Sequence, residues 1–349
     1  MVRARWTTLA LVAALVAGVA GCGSSEHGTD VRKVAFVAPF KDNEPDWTQQ
    51  SREVLAAWPK RLHVRVDEID ASQTPDVRGV FEQVAHEGNQ LVIAHDSRYA
   101  AAAEAVAKQT RVPTLVWGEG RDVKGLVSHI TVEGKEGGYI AGVVAARAAY
   151  TRRLGILVMA DGSAWDTATW NRMAGGFVAG ARSIDPHTRF YFTQVGESGS
   201  ATVKQVREAA RQLAREGAQM LFALGGAATV GALQAVTAAG GESQYVGVIG
   251  DKATFNRENN VLESVMYDTK RVFEEARRDV RDGRFGEHPY KLTLRDRGLW
   301  LFRTGRTPED AYERGIQAQH EIQRGRVHVP DTPTQQSVQA LIAEQQPAG

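Results

Sequence analysis

The sequence has almost no cysteine, since 349 residues contain only Cys22. One cysteine excludes a disulfide within the chain and a zinc site built on thiolates. An excess of charge of one sign is also absent, because 42 Lys and Arg stand against 41 Asp and Glu. A near-neutral chain gives no electrostatic reason to expect a nucleic acid or an anionic lipid surface as the partner.

Motifs of catalytic sites are absent as well. There is no P-loop pattern, and His86-Glu87 and His320-Glu321 lack the second histidine of a zinc protease helix. The segment 196–200 has glycine and serine, but no apolar helix follows it as a nucleophile elbow requires. Gly225-Gly226 with a glycine further on does not form a dinucleotide-binding fingerprint. We therefore predict a binding protein that is not an enzyme and that has no cofactor and no metal.

Long apolar runs are confined to the N-terminus. Arg3 and Arg5 precede an apolar, small-residue stretch over residues 6–21, which is shorter than the about 20 residues of a membrane-spanning helix. A charged start, an apolar middle and a small-residue end indicate a secretory signal peptide over residues 1–21. Its removal takes away the two arginines, so that 40 basic residues stand against 41 acidic ones in the mature chain.

The residues at the end of this segment suggest a role for the single cysteine. The sequence Val19-Ala20-Gly21-Cys22 resembles the bacterial lipobox, in which the cysteine is lipidated and becomes the first mature residue. A cysteine placed there by chance is the alternative. Residues 22–30 then form the lipidated cysteine and a polar, flexible tether. We expect a lipid-anchored protein on the extracytoplasmic face of the cell membrane.

The rest of the chain alternates short apolar runs with longer amphipathic ones. Val34–Ala38 and Leu91–Ala94 are predicted strands, and the segments between such runs are predicted helices. The same alternation starts again at Leu154. Repeated strand–helix units favour parallel sheets covered by helices, and about 320 residues suit two lobes better than one core. The predicted fold class is α/β, with two doubly wound lobes.

Ligands of such sheets bind beyond the carboxyl ends of the strands, so the residues that follow each strand are candidates. After the first strand come Asn43 and Asp46, which offer hydrogen bonds, and Trp47, which offers a flat apolar face. Asp46 is equally suited to cap the next helix, and Trp47 to anchor the core. Later strand ends in this half contribute His95, Asp96 and Trp117.

The second half offers a matching set of candidates. Trp165, Trp170 and Asn171 lie at a predicted helix start, where one tryptophan is expected to be packed and the other available. Gly225 and Gly226 open a helix whose free N–H groups suit an anionic or carbonyl acceptor. Asp251 follows a strand and is also suited to a turn. Stacking faces with carboxylates favour a heteroaromatic ring that bears hydroxyls, for instance a nucleoside, although a sugar could use the same groups.

The chain also resembles a known family. The resemblance covers most of the mature sequence. The segments that show it are KVAFVAPFKDNEPDW, HEGNQLVIAHDSRY, GYIAGVVAA, LGILVMADG with GGFVAGARSIDP, AREGAQMLFALGG, and VGVIGDKA with LESVMYDT. In this order they are similar to the basic membrane protein family of substrate-binding lipoproteins, which serve nucleoside-type ABC importers. The resemblance implies a type I periplasmic-binding-protein fold with two Rossmann-like lobes, three crossovers and a ligand enclosed at the hinge.

The resemblance also implies boundaries and roles. Lobe 1 is expected to contain residues 31–133 plus 250–285, and lobe 2 residues 134–249 plus 286–330, with a tail over 331–349. Asp46-Trp47 matches the loop that supplies a polar contact and an aromatic stacker. Asp251 matches the aspartate that binds ribose hydroxyls, Asn171 a polar ligand contact, and Gly225-Gly226 the small-residue loop of the second lobe. The sequence departs from the family where Pro-Asp-Trp-Thr replaces the usual Phe-Asn after the aspartate.

Three functions are compatible with these features. The leading hypothesis is a solute-binding lipoprotein of an ABC importer, whose partners are a purine nucleoside-like ligand and the permease and ATPase subunits. The second is a ligand-sensing lipoprotein without transport, because AHDSRY and LGILVMADGSAW also resemble a branch that contains a membrane-associated competence regulator. The third is an extracytoplasmic hydrolase that uses Asp161, Asp166 or Asp251.

Overall fold

The computed structural model describes residues 30–40, 47–160, 162–196, 202–226, 228–240, 242–251 and 260–344, with only the backbone of Trp47. Two sheets of six strands each account for all strands within these ranges. No helix in the described part of the chain has the length and apolar character needed to cross a bilayer.

The first sheet consists of parallel strands from the first half of the chain and one strand from much later. Its order is β11-β5-β4-β3-β1-β2, and every neighbouring pair is parallel. The central strands are buried along their whole length, as helices on both faces require. The strands are β1 (Lys33–Ala38), β2 (Arg65–Asp70), β3 (Leu91–Ala94), β4 (Thr114–Trp117), β5 (Val127–Val132) and β11 (Tyr290–Leu292).

The second sheet repeats this design with the order β12-β10-β9-β8-β6-β7. Only its edge strand β12 runs antiparallel, against β10. The strands are β6 (Arg153–Met159), β7 (Arg189–Val195), β8 (Met220–Leu224), β9 (Gln244–Val248), β10 (Val261–Tyr267) and β12 (Leu299–Arg303). The two sheets confirm the predicted α/β class with two lobes.

Helices cover both sheets. They are α1 (Trp47–Ala56), α2 (Trp58–Leu62), α3 (Val77–His86), α4 (Ala100–Thr110), α5 (Gly134–Ala148), α6 (Ala164–Ile184), α7 (Val203–Arg215), α8 (Ala228–Ala238), α9 (Thr269–Arg281), α10 (Glu309–Gln323) and α11 (Gln335–Ala343). Helices α5 and α6 pack closely against each other, with glycines at the contact. A Cβ on Gly142 would lie 2.1 Å from the carbonyl oxygen of Phe177, so that only glycine allows this approach.

The chain passes between the lobes three times. It leaves the first lobe after β5 at Glu133, returns after β10 at Asp268, and crosses again between β11 and β12. The assignment of strands to the two sheets differs from the predicted lobe boundaries at two strands. The prediction placed β10 within 250–285 of lobe 1 and β11 within 286–330 of lobe 2, whereas each pairs in the opposite sheet. The apolar pattern of a strand does not specify which of two sheets it joins.

The predicted tail is in fact attached to the second lobe. Residues 331–344 lie along α6, where Thr332 Oγ1 donates to the carbonyl oxygen of Asn171 at 3.0 Å. The guanidinium of Arg182 donates to the carbonyl oxygens of Leu341 and Ile342 at 2.6 and 2.7 Å. The segment ends in helix α11, which these bonds hold at its C-terminal turn.

Candidate functional site

The carboxyl ends of the two sheets face each other, and the lobes are in direct contact there. Trp117 ends β4 of the first lobe, and Trp165 lies in the first turn of α6 of the second. Their rings meet edge to face, with centroids 5.7 Å apart and an interplanar angle of 81°. Such a pair contributes about 0.5–1.5 kcal/mol beyond the area it buries. Of the two tryptophans predicted at this helix start, Trp165 therefore reaches the other lobe.

A polar contact lies beside the aromatic one. Ser97 Oγ of the first lobe lies 2.8 Å from Ser163 Oγ of the second and donates a hydrogen bond to the Asp166 carboxylate. The same carboxylate accepts from Ser163 N at 2.8 Å, which closes a capping box at the start of α6. Burial raises the pKa of Asp166, and the nearby charge of Asp96 acts in the same direction. The serine hydrogen bonds oppose this shift without cancelling it.

His95 lies beneath this contact, inside an aromatic cluster of the first lobe. Its ring is fully buried. The ring centroids of Phe36, Phe273 and Trp117 lie 5.0, 6.0 and 6.2 Å away. Because Phe273 belongs to α9, the cluster ties the returning part of the chain to β1, β3 and β4. His95 thus packs against Trp117 inside the first lobe. Its role as a ligand contact stays a prediction.

Three other predicted residues have structural partners. Asp96 caps the short 3₁₀ turn Ser97–Tyr99 and forms an ion pair with Arg98, with oxygen and nitrogen 2.5 Å apart. Trp170 packs partly buried against the main core. Asn171 is buried two turns into α6, and no described group donates to its Oδ1. The contacts explain the Asp96 and Trp170 side chains without a ligand, whereas the buried Asn171 Oδ1 has no described donor. The ligand roles of all three residues stay predictions.

The remaining described candidates lie at strand ends of the second lobe. Gly225 adopts a φ of 108° and is followed by Gly226 in the turn before α8, and the Gly225 carbonyl oxygen accepts from Ala228 N at 3.2 Å. Asp251 lies three residues beyond β9, at the same edge of the sheet. The structure therefore brings Trp165, the glycine turn and Asp251 to one end of the second sheet, opposite Trp117.

Several predicted residues lie outside the described part of the chain. These are Cys22, Asn43 and Asp46, together with the side chain of Trp47. Asp161, one of the carboxylates considered for a hydrolase, also lies outside it. Their predicted roles stay predictions.

Sequence reasoning missed the polar residues that join the lobes. Ser97, Ser163 and Gln50 were not among the candidates, and Asp166 was considered only for hydrolysis. A signal existed for one pair, because Ser163 and Asp166 have the spacing of a capping box. No local pattern indicates Ser97 or Gln50, because their partners lie 66 and 217 residues away in the sequence.

A charged cavity of about 530 Å³ lies next to the contact, at the ends of β5 and β11. Glu119 and Lys291 line it from the first lobe, and Arg172 lines it from α6. Arg172 is bound to Asp331, with nitrogen and oxygen 2.9 Å apart. The glycine-rich loop after Trp117 therefore faces this side cavity through Glu119 and Gly120.

Comparisons with known proteins agree with this architecture. The sequence model of the Bmp family, described as "ABC transporter substrate-binding protein PnrA-like", matches residues 31–289. Basic membrane protein D of Borreliella burgdorferi (strain JD1) is 22% identical over 330 residues, which cover 89% of this chain and 92% of that protein.

Two solved structures show the same fold. An ABC transporter solute-binding protein from Aeropyrum pernix K1 aligns with a TM-score of 0.74 and 14% identity, over 90% of this chain and 97% of its own. A protein from Bacillus halodurans, described as a transcriptional activator of the comK gene, aligns with a TM-score of 0.71 and 18% identity, over 85% and 99%. The predicted periplasmic-binding-protein fold is confirmed.

The family match covers well over half of the chain, and the two lobes and the facing strand ends have the arrangement that a solute-binding protein requires. Proteins of this family bind a small-molecule solute outside the cytoplasm and interact with an ABC permease. The chain belongs to the Bmp family and is a PnrA-like ABC transporter substrate-binding protein.

Proposed function

We propose that this chain is a lipid-anchored receptor that encloses a purine nucleoside-like solute between its lobes for an ABC importer. The observation that carries the proposal is the meeting of Trp117 and Trp165 across the cleft. The two rings contact each other in this structure and Trp117 is buried, so parting of the lobes would present both indoles to a heteroaromatic base at the carboxyl ends of the sheets.

The hydrogen-bonding groups around the rings support the same class of ligand. Asp251 and the glycine turn at Gly225 lie at the same end of the second sheet as Trp165. A carboxylate suits the hydroxyls of a ribose, and a glycine turn allows the close approach of a ligand to the backbone. A free sugar would use the carboxylate but would gain little from two indoles, so we favour a nucleoside.

The proposal is tested by titrating the purified chain with adenosine, inosine, guanosine, free purines and D-ribose in a calorimeter. Nucleosides are expected to bind without turnover and to raise the melting temperature by mass action. Asp251→Ala and Trp165→Leu should weaken binding. A chain that binds D-ribose but no nucleoside, or that hydrolyses the nucleoside, would refute the proposal.

The lipid anchor is a separate part of the proposal. It is supported by the apolar N-terminal run and by the position of Cys22 as the sole cysteine. Metabolic labelling with an alkyne fatty acid should mark the wild-type chain and leave Cys22→Ser unlabelled. Equal labelling of both chains, or none in either, would refute the anchor and would leave the ligand proposal standing.

A further inference from the structure

One polar side chain of the first lobe reaches the hinge of the second. Gln50 lies in the first turn of α1, and its Nε2 donates to the carbonyl oxygen of Tyr267 at 3.1 Å. Tyr267 is the last residue of β10, directly before the crossover to α9. A carbonyl oxygen only accepts hydrogen bonds, so this contact fixes which way the amide faces. Its Oε1 must then point away from the crossover.

That oxygen is buried, and no described group donates a hydrogen bond to it. A buried acceptor without a donor costs about 1–3 kcal/mol. The neighbouring residue Gln49 differs, because its side chain is exposed and bonds to Glu53 on the helix surface. Gln50 is therefore oriented by one contact and requires a donor for the other half of its amide.

The strand end beside Gln50 is strained. Ile249 has a φ of 61°, a left-handed conformation that β-branched residues rarely adopt, and Gly250 follows with a φ of 104°. Two bonds hold this shape: Ile249 N donates to the carbonyl oxygen of Val265, and Ser264 Oγ donates to that of Gly250, both at 2.7 Å. Backbone strain of this kind persists only where the surrounding structure imposes it, and strained residues are found most often at ligand-binding and active sites.

The described residues leave space next to Gly250. Among them, a Cβ built on Gly250 would meet only Cδ of Gln50 within 4 Å, at a distance of 3.9 Å. The conformation of Gly250 requires glycine, whereas the packing around it does not. The strained turn therefore leads the chain to Asp251, and the described residues leave room over the Gly250 backbone beside Gln50.

We propose that Gln50 Oε1 accepts a hydrogen bond from a ribose hydroxyl of the bound solute. This inference rests on the proposed function and adds a specificity-determining residue to it. The Cδ of Gln50 lies 3.9 Å from a Cβ built on Gly250, and Asp251 follows Gly250 in the chain, so two side chains with acceptor oxygens belong to this turn. Two acceptors select a ligand that presents hydroxyl donors in that position. Because Nε2 of the same amide binds the Tyr267 carbonyl, the ligand contact is also joined to a hinge crossover.

The test compares ribonucleosides with deoxynucleosides in wild-type and variant chains. Calorimetry of the full chain with adenosine, 2′-deoxyadenosine and 3′-deoxyadenosine identifies the hydroxyl that matters. Gln50→Leu is expected to bind adenosine about three- to tenfold more weakly, the effect of one neutral hydrogen bond. It should also lose discrimination against one of the two deoxy forms, whereas the control Gln49→Leu should keep both affinity and discrimination.

A second variant separates ligand recognition from a structural effect. Gln50→Glu keeps an acceptor oxygen and loses the donor to Tyr267, so discrimination should persist even though overall affinity falls. The inference is overturned if Gln50→Leu keeps the wild-type ratio between adenosine and both deoxy forms, or if the wild type does not discriminate between them. In either case nucleoside binding would leave the proposed function intact. If the wild-type chain binds none of these nucleosides, both proposals fail.

Discussion

Ser97 of the first lobe donates a hydrogen bond to the carboxylate of Asp166 in the second lobe. The same carboxylate accepts from the backbone N–H of Ser163 in the capping box of α6, so a single group both stabilises the start of a helix and joins the lobes. The lobes therefore have a direct polar contact in addition to the Trp117–Trp165 pair. This arrangement is expected to favour closure before any solute binds.

The first prediction concerns this contact. Ser97→Ala should shift the ligand-free protein toward the open form by about 1 kcal/mol, or about fivefold in the ratio of closed to open. Small-angle X-ray scattering of the ligand-free chain would show this as a larger radius of gyration. The control is Ser72→Ala, since Ser72 lies in a turn after β2 that makes no described contact with the second lobe. Unchanged scattering for Ser97→Ala would show that the contact does not hold the lobes together.

Closure should also depend on pH through Asp166. Burial raises its pKa above the ordinary 3.8, so the closed form holds its proton more tightly than an open form in which the carboxyl meets water. The contribution of Asp166 to closure is therefore complete below its ordinary pKa, and it is lost as pH rises through the raised pKa of the closed form. Asp96 and Arg98 face the same contact and stay paired with each other. Scattering between pH 4 and 8 should show opening with rising pH, and Asp166→Asn should abolish the trend.

The tryptophan pair is predicted to couple the stabilities of the lobes. In a double-mutant cycle, Trp117→Leu and Trp165→Leu should interact by about 1 kcal/mol in the free energy of unfolding. The same cycle with Trp170→Leu in place of Trp165→Leu provides the control, because Trp170 packs partly buried against the main core and, among the described rings, only Trp165 of the two pairs with Trp117. Additive effects in the first cycle would contradict the contact across the cleft.

A buried acid in β10 is predicted to lower stability at neutral pH. Glu263 is fully buried, no described group donates to either carboxyl oxygen, and burial raises its pKa well above the ordinary value. The unfolded chain releases this proton above about pH 4.5 and the folded chain keeps it, so Glu263 lowers stability progressively as pH rises above that value. Glu263→Met should raise the free energy of unfolding at pH 7 by about 1–3 kcal/mol.

The pH dependence of this effect provides its control. Glu263→Gln removes the titration but keeps a buried polar group, so it should flatten the pH profile and recover only part of the stability. Urea unfolding at pH 5 and pH 7.5 distinguishes the two variants. If the wild type and Glu263→Gln have the same pH profile, the carboxyl does not titrate in this range.

The packing of α5 on α6 gives a prediction with a matched control. Gly142→Ala places a methyl group 2.1 Å from the Phe177 carbonyl oxygen and should cost about 3 kcal/mol or more, because backbone cannot move aside as a side chain can. Gly305→Ala adds the same methyl group where no described residue lies within 4 Å and should change stability little. The melting temperature of Gly142→Ala is expected to be well below that of Gly305→Ala. Equal melting temperatures would contradict the close contact between α5 and α6.

The sequence by itself determined the fold class and the family. Fully apolar runs such as Leu91–Ala94 alternate with amphipathic helices, and this pattern is local, so it could be read as parallel sheets in two lobes. Gly138 and Gly142 lie one helical turn apart, a local spacing that is typical of a helix face that packs closely, and in the structure this face packs on α6. Capping residues such as Ser163 are equally local, because their partners are three residues away.

Only the tertiary structure decided which strand joins which sheet and which side chains meet across the cleft. The patterns of β10 and β11 are those of ordinary strands, and their pairing depends on where three crossovers place them. Trp165 and Trp170 have the same local signature, yet helix rotation brings only Trp165 to Trp117. The orientation and proposed role of the Gln50 side chain depend on the Tyr267 carbonyl and on the strained turn at Ile249. Contacts between residues so far apart in the chain cannot be predicted from a local sequence pattern.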